Sequence, residues 1–443
     1  MQHIVIIGNG IAGITAARNI RKLSNDRITV ISGETDHFFS RTALMYIYMG
    51  HMEYRHTKPY EDWFWEKNRI ELKRAWVKSI DFDNNQLTFE GEAPLTYDKL
   101  ILATGSQSNK FGWPGQDLKG VQGLYSYQDL ELMEENTRNV ERAVILGGGL
   151  IGIEMAEMLL SRNIPVTYLI REKHFWNGVL PVEEAKLIDR HIAEHHIDLR
   201  PETELEEILD DGSGRVKGIK TKSGELIDCQ FVGLTVGVHP NIDLVKGSLV
   251  ETDRGILVDE HLETSAPNVY AIGDCAQMRT SAPHRRPIEA VWYAGRMMGE
   301  TVARTVTGSP TKYQPGIWFN SAKFFDIEYQ TYGMVLNRLN EGEDHFYWES
   351  EDHKKCIKIV YKKDTKVVLG VNFFGIRNRH EIWDEWLRKE KTLDYVIENL
   401  ETANFDPEFF RRYEPDIQAQ YNSQFPDQPV SIRKKGFFEK IFA

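Results

Sequence analysis

The sequence predicts an α/β fold: two domains, each built around a glycine-rich strand–turn–helix unit, followed by a smaller α+β domain. Three observations predict it. The apolar run at residues 4–7 leads into Gly8-Asn9-Gly10-Ile11-Ala12-Gly13, then a helical pattern to about Leu23 and a second apolar run at residues 28–31. The same order recurs from Ala143: an apolar strand, Gly147-Gly148-Gly149-Leu150-Ile151-Gly152, a helix to about Ser161, and a strand at residues 166–170. After Pro315 the texture changes to strands at residues 346–349, 356–361 and 367–374, then an acidic-aromatic helix from about Glu381. Each of the first two is a βαβ unit by its switch of hydrophobic period.

The stretches between these units are read more coarsely. Residues 36–72 lack clean periodicity, and Trp63, Phe64 and Trp65 are placed on a helix. Residues 75–105 alternate as strands around an Asp83-Asn84-Asn85 turn. Residues 255–300 return to the style of the first unit and end in a helix rich in small residues.

Composition narrows the function classes. A chain of 443 residues exceeds what one core usually serves. The net charge of −12 disfavours nucleic acid as a partner. Met1 runs directly into the first strand, so the expectation is a cytoplasmic protein without a signal peptide. The only cysteines are Cys229, Cys275 and Cys356, scattered and without zinc spacing, so no metal and no disulfide framework is expected.

The glycine motifs carry the chemistry. In Gly8-x-Gly10-x-x-Gly13 one glycine makes the tight turn, the next admits a pyrophosphate to the backbone, and the last lets the helix pack closely. The helix N-terminus then faces the phosphates. Glu34, at the end of the second strand, is placed to accept hydrogen bonds from ribose hydroxyls. Gly147, Gly149, Ile151 and Gly152 repeat the device. Two such Rossmann-like units imply two dinucleotides, or two halves of one electron path. Gly273-Asp274, at a strand end, brings a carboxylate to a ligand with no intervening side chain.

With residues 264–275, Leu102-Ala103-Thr104-Gly105 and residues 235–241 in this order, the chain resembles the FAD-dependent pyridine nucleotide–disulfide oxidoreductase superfamily over about residues 1–400. The resemblance implies three-layer ββα dinucleotide domains and the cofactors FAD and NAD(P)H. It implies that Gly8, Gly10, Ala12, Gly13 and Glu34 hold the ADP half of FAD, with Val77 near the adenine. Ala103, Thr104 and Gly105 pass beside the FAD, and Gly273 and Asp274 reach its ribityl chain. Arg41, in Phe39-Ser40-Arg41-Thr42-Ala43-Leu44-Met45-Tyr46, matches a flavin-contacting arginine of the ferredoxin and rubredoxin reductase branch, and Trp292 matches an aromatic near the flavin. Gly147, Gly149, Ile151, Gly152, Arg171 and Gly237 fall to the nicotinamide dinucleotide. Glu154 matches a glutamate near the nicotinamide, or else is an acid in a helix's first turn favoured by the dipole.

Departures from the pattern are informative. No cysteine precedes Cys229, which argues against disulfide reductase chemistry. Cys275 reads as a buried filler or as a neighbour of the flavin. Tyr46 stands where relatives often have a lysine paired to the glutamate matched by Glu154, so Tyr46 and Glu154 are the candidate catalytic residues. Ile170 ends the second strand of the second unit, where an acid marks NADH users and arginines mark NADPH users, so the choice stays open.

The expected organisation is an FAD domain at 1–115 and 250–314, an NAD(P) domain at 116–249, an interface domain at 315–405 resembling that of rubredoxin-reductase-like and nitrite-reductase flavin modules, and a tail at 406–443. The expected function is electron transfer from NAD(P)H through FAD to a small carrier such as ferredoxin or rubredoxin. Quinone or oxygen as acceptor, and a redox-sensing interaction protein resembling apoptosis-inducing factor, are the rival readings. The amphipathic tail with Phe437, Phe438, Ile441 and Phe442 is expected to pack on the body or on a second copy in a homodimer, with membrane contact the weaker reading.

Overall fold

The computed structural model describes residues 1–405 and 411–433, so the amphipathic run at 434–443 lies outside the described residues. The chain forms two compact units: Met1–Arg171 with Glu202–Pro315, and Glu172–Pro201 with Gly316–Ala443.

The first unit contains both glycine-rich folds. Five parallel strands run in the order Val269–Ala271, Lys99–Leu102, His3–Ile7, Arg27–Ser32 and Ile70–Arg74. Residues 4–7 are all buried, as in a parallel sheet covered on both faces. The helices Ile11–Leu23 and Trp292–Val306 pack together, and the antiparallel strands Val77–Asp81, Gln86–Phe89 and Leu95–Thr96 bury Leu87 and Phe89 in the same core. Asn85, in the sequence-predicted turn, has φ 50°. A second parallel sheet runs Val166–Leu169, Ala143–Leu146, Phe231–Leu234, Val121–Gln122, with helix Leu150–Ser161 following its central strand. An antiparallel meander, Leu205–Asp210, Val216–Thr221 and Leu226–Asp228, shares its core.

The second unit is α+β. Its antiparallel sheet has the order Phe319–Phe324, Ile327–Gly333, Val368–Phe374, Cys356–Lys362, Glu343–Glu349. Ile357, Ile359, Val371 and Phe373 form a core with the helices His380–Arg388, Leu393–Glu398 and Glu414–Gln424, in which Trp383 is fully buried. Lys358 and Asn372 alternate with those apolar residues and bind Glu183 and Glu184 of helix Val182–Glu194 at 2.8 Å each. Those contacts explain why residues 172–201, which the sequence reading assigns to the 116–249 domain, group with the C-terminal unit. An amphipathic helix announces that it needs an apolar partner surface but not which one. Among the described residues no helix is long and apolar enough to cross a membrane.

Candidate functional site

The two glycine turns use one backbone device. Gly8 has φ 114°, and a Cβ there would lie 2.0 Å from the Ala103 carbonyl oxygen. Gly147 has φ 105°, with its Cβ position 2.4 Å from the Thr235 oxygen. Only glycine adopts this geometry without strain. The last glycines serve close packing: a Cβ on Gly13 would meet the Gly8 oxygen at 2.1 Å, and one on Gly152 would meet the Tyr168 hydroxyl at 2.0 Å. The middle glycines differ in kind. Gly10 and Gly149 are extended N-caps, and nothing lies within 4 Å of where a Cβ would stand. Each helix therefore opens beneath clear space, which suits a phosphate-sized group held by backbone N–H donors.

Around the first turn the charged residues converge. Arg41, on the short helix Arg41–Ala43, donates to both carboxylate oxygens of Glu34 at 2.7 and 2.6 Å. Glu34 also accepts from the Tyr127 backbone N–H at 2.9 Å. Arg41 donates to the Tyr125 carbonyl at 2.6 Å and lies 4.6 Å over its ring. Burial works against the Arg41 charge, but the Glu34 hydrogen bonds and charge outweigh it, so the guanidinium is held above its ordinary value.

Tyr125 links this pair to Asp274. Its hydroxyl donates to the Asp274 carboxylate at 3.1 Å and accepts from the Ser106 N–H at 3.0 Å. Burial, then the Asp274 charge, push the phenol upward, so it remains a donor. Burial also raises the Asp274 carboxyl above the usual carboxylate range, against the hydrogen bond from Tyr125 and the charge of Arg41. Ala103, Thr104 and Gly105 run alongside. The Thr104 hydroxyl donates to the Asn241 carbonyl at 2.6 Å, and Asn241 N–H returns to the Gly105 oxygen at 2.8 Å. The strand Val238–Pro240 pairs with Ser106–Ser108, so two motifs far apart in sequence cross side by side. Gly237 sits at that crossing, accepting from Asn109 N–H at 3.0 Å.

The helix Trp292–Val306 closes one side. A Cβ on Gly299 of this helix would meet the Ala12 oxygen at 2.6 Å, so a small residue there lets the helix pack closely, and one on Gly273, in the short turn Gly273–Cys275, would meet the Ala12 methyl at 2.9 Å. Trp292 stands at its start, 37% exposed. Val77 packs on the core, while its neighbour Trp76 is 71% exposed with its ring against Gly33, next to Glu34.

The second turn is framed by an uncharged side chain. The Tyr168 hydroxyl, kept protonated by burial, donates to the Gly147 oxygen at 2.8 Å. Ile151 is the second residue of its helix, half-buried above the turn. Ile170 is 1% exposed and turned into the core, whereas Arg171 is exposed. Glu154 is the fifth residue of helix Leu150–Ser161, and no acid lies in its first turn, which removes the dipole reading. Tyr46 lies on helix Leu44–Tyr48, which packs against that helix. All three cysteines are buried, and Cys275 directs its thiol to the Leu102 and Ile272 carbonyls, as a filler does.

A chain of contacts thus joins Glu34, Arg41, Tyr125 and Asp274, with Gly105 against the Tyr125 hydroxyl, and Gly8, Gly13 and Ala12 belong to the neighbouring turn. Tyr125, Ser106, Tyr127 and Trp76 were missed by sequence reasoning. Only Trp76 carried a signal, as a large aromatic next to Val77 within Ala75-Trp76-Val77.

The chain belongs to the pyridine nucleotide-disulphide oxidoreductase family, which residues 2–299 match. It is 30% identical over 400 residues to the NADH-rubredoxin oxidoreductase of Clostridium acetobutylicum, spanning 90% of this chain and 99% of that one. It is 28% identical over 379 residues to the NAD(P)H nitrite reductase of Bacillus subtilis, but spans only 44% of that relative's length. A ferredoxin reductase structure from Rhodopseudomonas palustris shares the fold, with a TM-score of 0.77 at 23% identity over 85% of this chain and 91% of that one.

Proposed function

We propose that this chain binds FAD at the first glycine turn and NAD(P)H at the second, and passes electrons to a small carrier such as a ferredoxin or rubredoxin. FAD, held at Gly8, Gly10, Gly13, Glu34 and Asp274, would supply the redox chemistry that links a two-electron donor to one- or two-electron acceptors. The observation that carries the reading is the pair of glycine cradles with open space at Gly10 and Gly149, only one of them served by Glu34, Arg41 and Asp274.

The residues divide the work. The Gly10 and Gly149 cradles hold phosphates through backbone donors. Glu34 orients a ribose, with Trp76 and Val77 beside the adenine. Arg41 balances negative charge near the flavin end, and Asp274, fixed by Tyr125, orients a polyol chain. Trp292 lies near the flavin. Tyr46 and Glu154, on packed helices, shape the meeting point of flavin and nicotinamide. Arg171 and Gly237 border the nicotinamide dinucleotide, and the buried Ile170 leaves the choice between NADH and NADPH to Arg171 and its neighbours. Burial of all three cysteines argues against a thiol relay, and hence against dithiol reductase activity. The carrier assignment draws on the relative that this chain spans almost completely, named for rubredoxin.

The test is steady-state reduction of purified rubredoxin and ferredoxin by NADH and by NADPH. Carrier turnover much faster than oxygen or quinone turnover supports the assignment. Oxygen or quinone as the best acceptor overturns its carrier half. A colourless protein that cannot take up added FAD overturns all of it.

A further inference from the structure

The second unit carries a constellation with no part in dinucleotide binding. On helix Val182–Glu194, His191 and the capping residue His195 are one turn apart and share a face. Opposite them is the tip of the hairpin Phe319–Phe324/Ile327–Gly333, whose two-residue turn is Phe325-Asp326. His191 Nε2 lies 2.6 Å and His195 Nε2 3.9 Å from the same Asp326 Oδ1. One donor atom from each of the three residues falls within 4.8 Å of the others.

Three features separate this cluster from an ordinary His–Asp pair. First, the His191 side chain is 2% exposed and its two ring nitrogens face carboxylates, Asp326 at 2.6 Å and Glu194 at 3.6 Å, so a buried imidazole is held between two possible anionic partners. Second, His195 is oriented as a metal-binding imidazole would be. Its Nδ1 pairs with the His191 carbonyl at 2.9 Å, which leaves Nε2 with its lone pair toward Asp326. Phe325 stacks on the ring at 4.0 Å and 12°, fixing its plane. Glu194 stands 3.6 Å from His191 Nδ1, where it can orient that ring in the same manner. Third, the spacing fits. Ligand bonds of about 2.0–2.1 Å in a tetrahedral site place donor atoms roughly 3.3 Å apart, between the 2.6 and 3.9 Å observed. Asp326 is 68% exposed and has room to adjust.

We propose that His191, His195 and Asp326 form a binding site for a divalent first-row transition ion of the zinc class, which clips helix Val182–Glu194 to the hairpin tip. The donor set of two imidazoles and one carboxylate suits zinc, cobalt or nickel rather than magnesium or calcium, which prefer oxygen ligands. Three protein ligands leave an outward position for water. The site is independent of the flavin assignment.

The test uses the full-length, tag-free, FAD-loaded protein, freed of metal by chelator and titrated with zinc. One equivalent is expected to bind and to raise the melting temperature, with magnesium doing neither. His195→Ala and Asp326→Ala are each expected to weaken zinc binding at least about tenfold and to abolish the thermal shift, with the flavin spectrum unchanged. His195→Cys is expected to restore binding and, with cobalt, to add a thiolate charge-transfer band. Absence of stoichiometric zinc binding, or binding undiminished in both alanine variants, overturns the proposal. So does a cobalt spectrum in His195→Cys that lacks the thiolate band.

Discussion

The two glycine turns of the first unit are nearly the same in backbone and differ in the side chains that bond around them. Both have a left-handed first glycine, an open middle glycine and a packed last glycine. Around the first, Glu34, Arg41, Tyr125 and Asp274 form a connected polar set. Around the second, strand register puts the buried Ile170 in the place of Ser32 rather than of Glu34. Under the proposed function the shared backbone device would take a pyrophosphate in both places, and Glu34, Arg41 and Asp274 would add contacts at the first. A cofactor retained through every turnover needs those extra contacts. One that enters and leaves is better served by fewer.

The largest effect expected from this comparison is structural. Gly152→Trp drives a side chain into the Tyr168 hydroxyl and the Gly147 carbonyl. It should cost at least about 1–3 kcal/mol by overpacking and lower the melting temperature of the whole first unit. An unchanged melting curve would show that the last glycine is not packed as described. Next is Arg41→Ala, which leaves Glu34 with the Tyr127 N–H and strips the Tyr125 carbonyl of its donor. FAD affinity, measured by fluorescence quenching, should fall about 10–100-fold, in keeping with hydrogen bonds to charged groups. NADH affinity should not move, and an equal loss for both would erase the distinction between the turns.

A smaller effect concerns Asp274. Because burial raises its carboxyl in the folded protein, the ionised form costs stability at neutral pH. That cost disappears as pH falls through the raised value toward the ordinary 3.8. Asp274→Asn, studied without FAD, should therefore melt higher than the parent at pH 7, with the gap closing in acid, while FAD retention decreases. A constant gap across pH would mean that ionisation of Asp274 is not its source.

Much of this was legible from residues alone. Gly8 and Gly147 could be read because their left-handed backbone tolerates little else, and the strands around them because parallel strands covered on both faces are continuously apolar. Glu34 and Asp274 were readable from their places at strand ends. Tyr125 was not, since nothing local marks a tyrosine whose partners lie at Ser106 and Asp274. The placement of residues 172–201 was hidden for the same reason. The His191-x3-His195 spacing was present in the sequence, but its third member, Asp326, arrives only through the fold.

The central claim is that equivalent cradles hold different dinucleotides, and the open middle glycines allow it to be tested without disturbing the packing. Gly10 and Gly149 have extended backbones at φ −69° and −122°, which any residue adopts, and a leucine at either would project into the clear space above the helix. The measurement is anaerobic mixing with NADH, following flavin absorbance, in Gly10→Leu and Gly149→Leu beside the parent. Gly10→Leu should purify folded but colourless. Gly149→Leu should stay yellow and bleach at least about 100-fold more slowly than the parent, as expected when about 2.7 kcal/mol of phosphate binding is lost. A yellow Gly10→Leu, or a Gly149→Leu that bleaches at the parental rate, would contradict the assignment of the two folds.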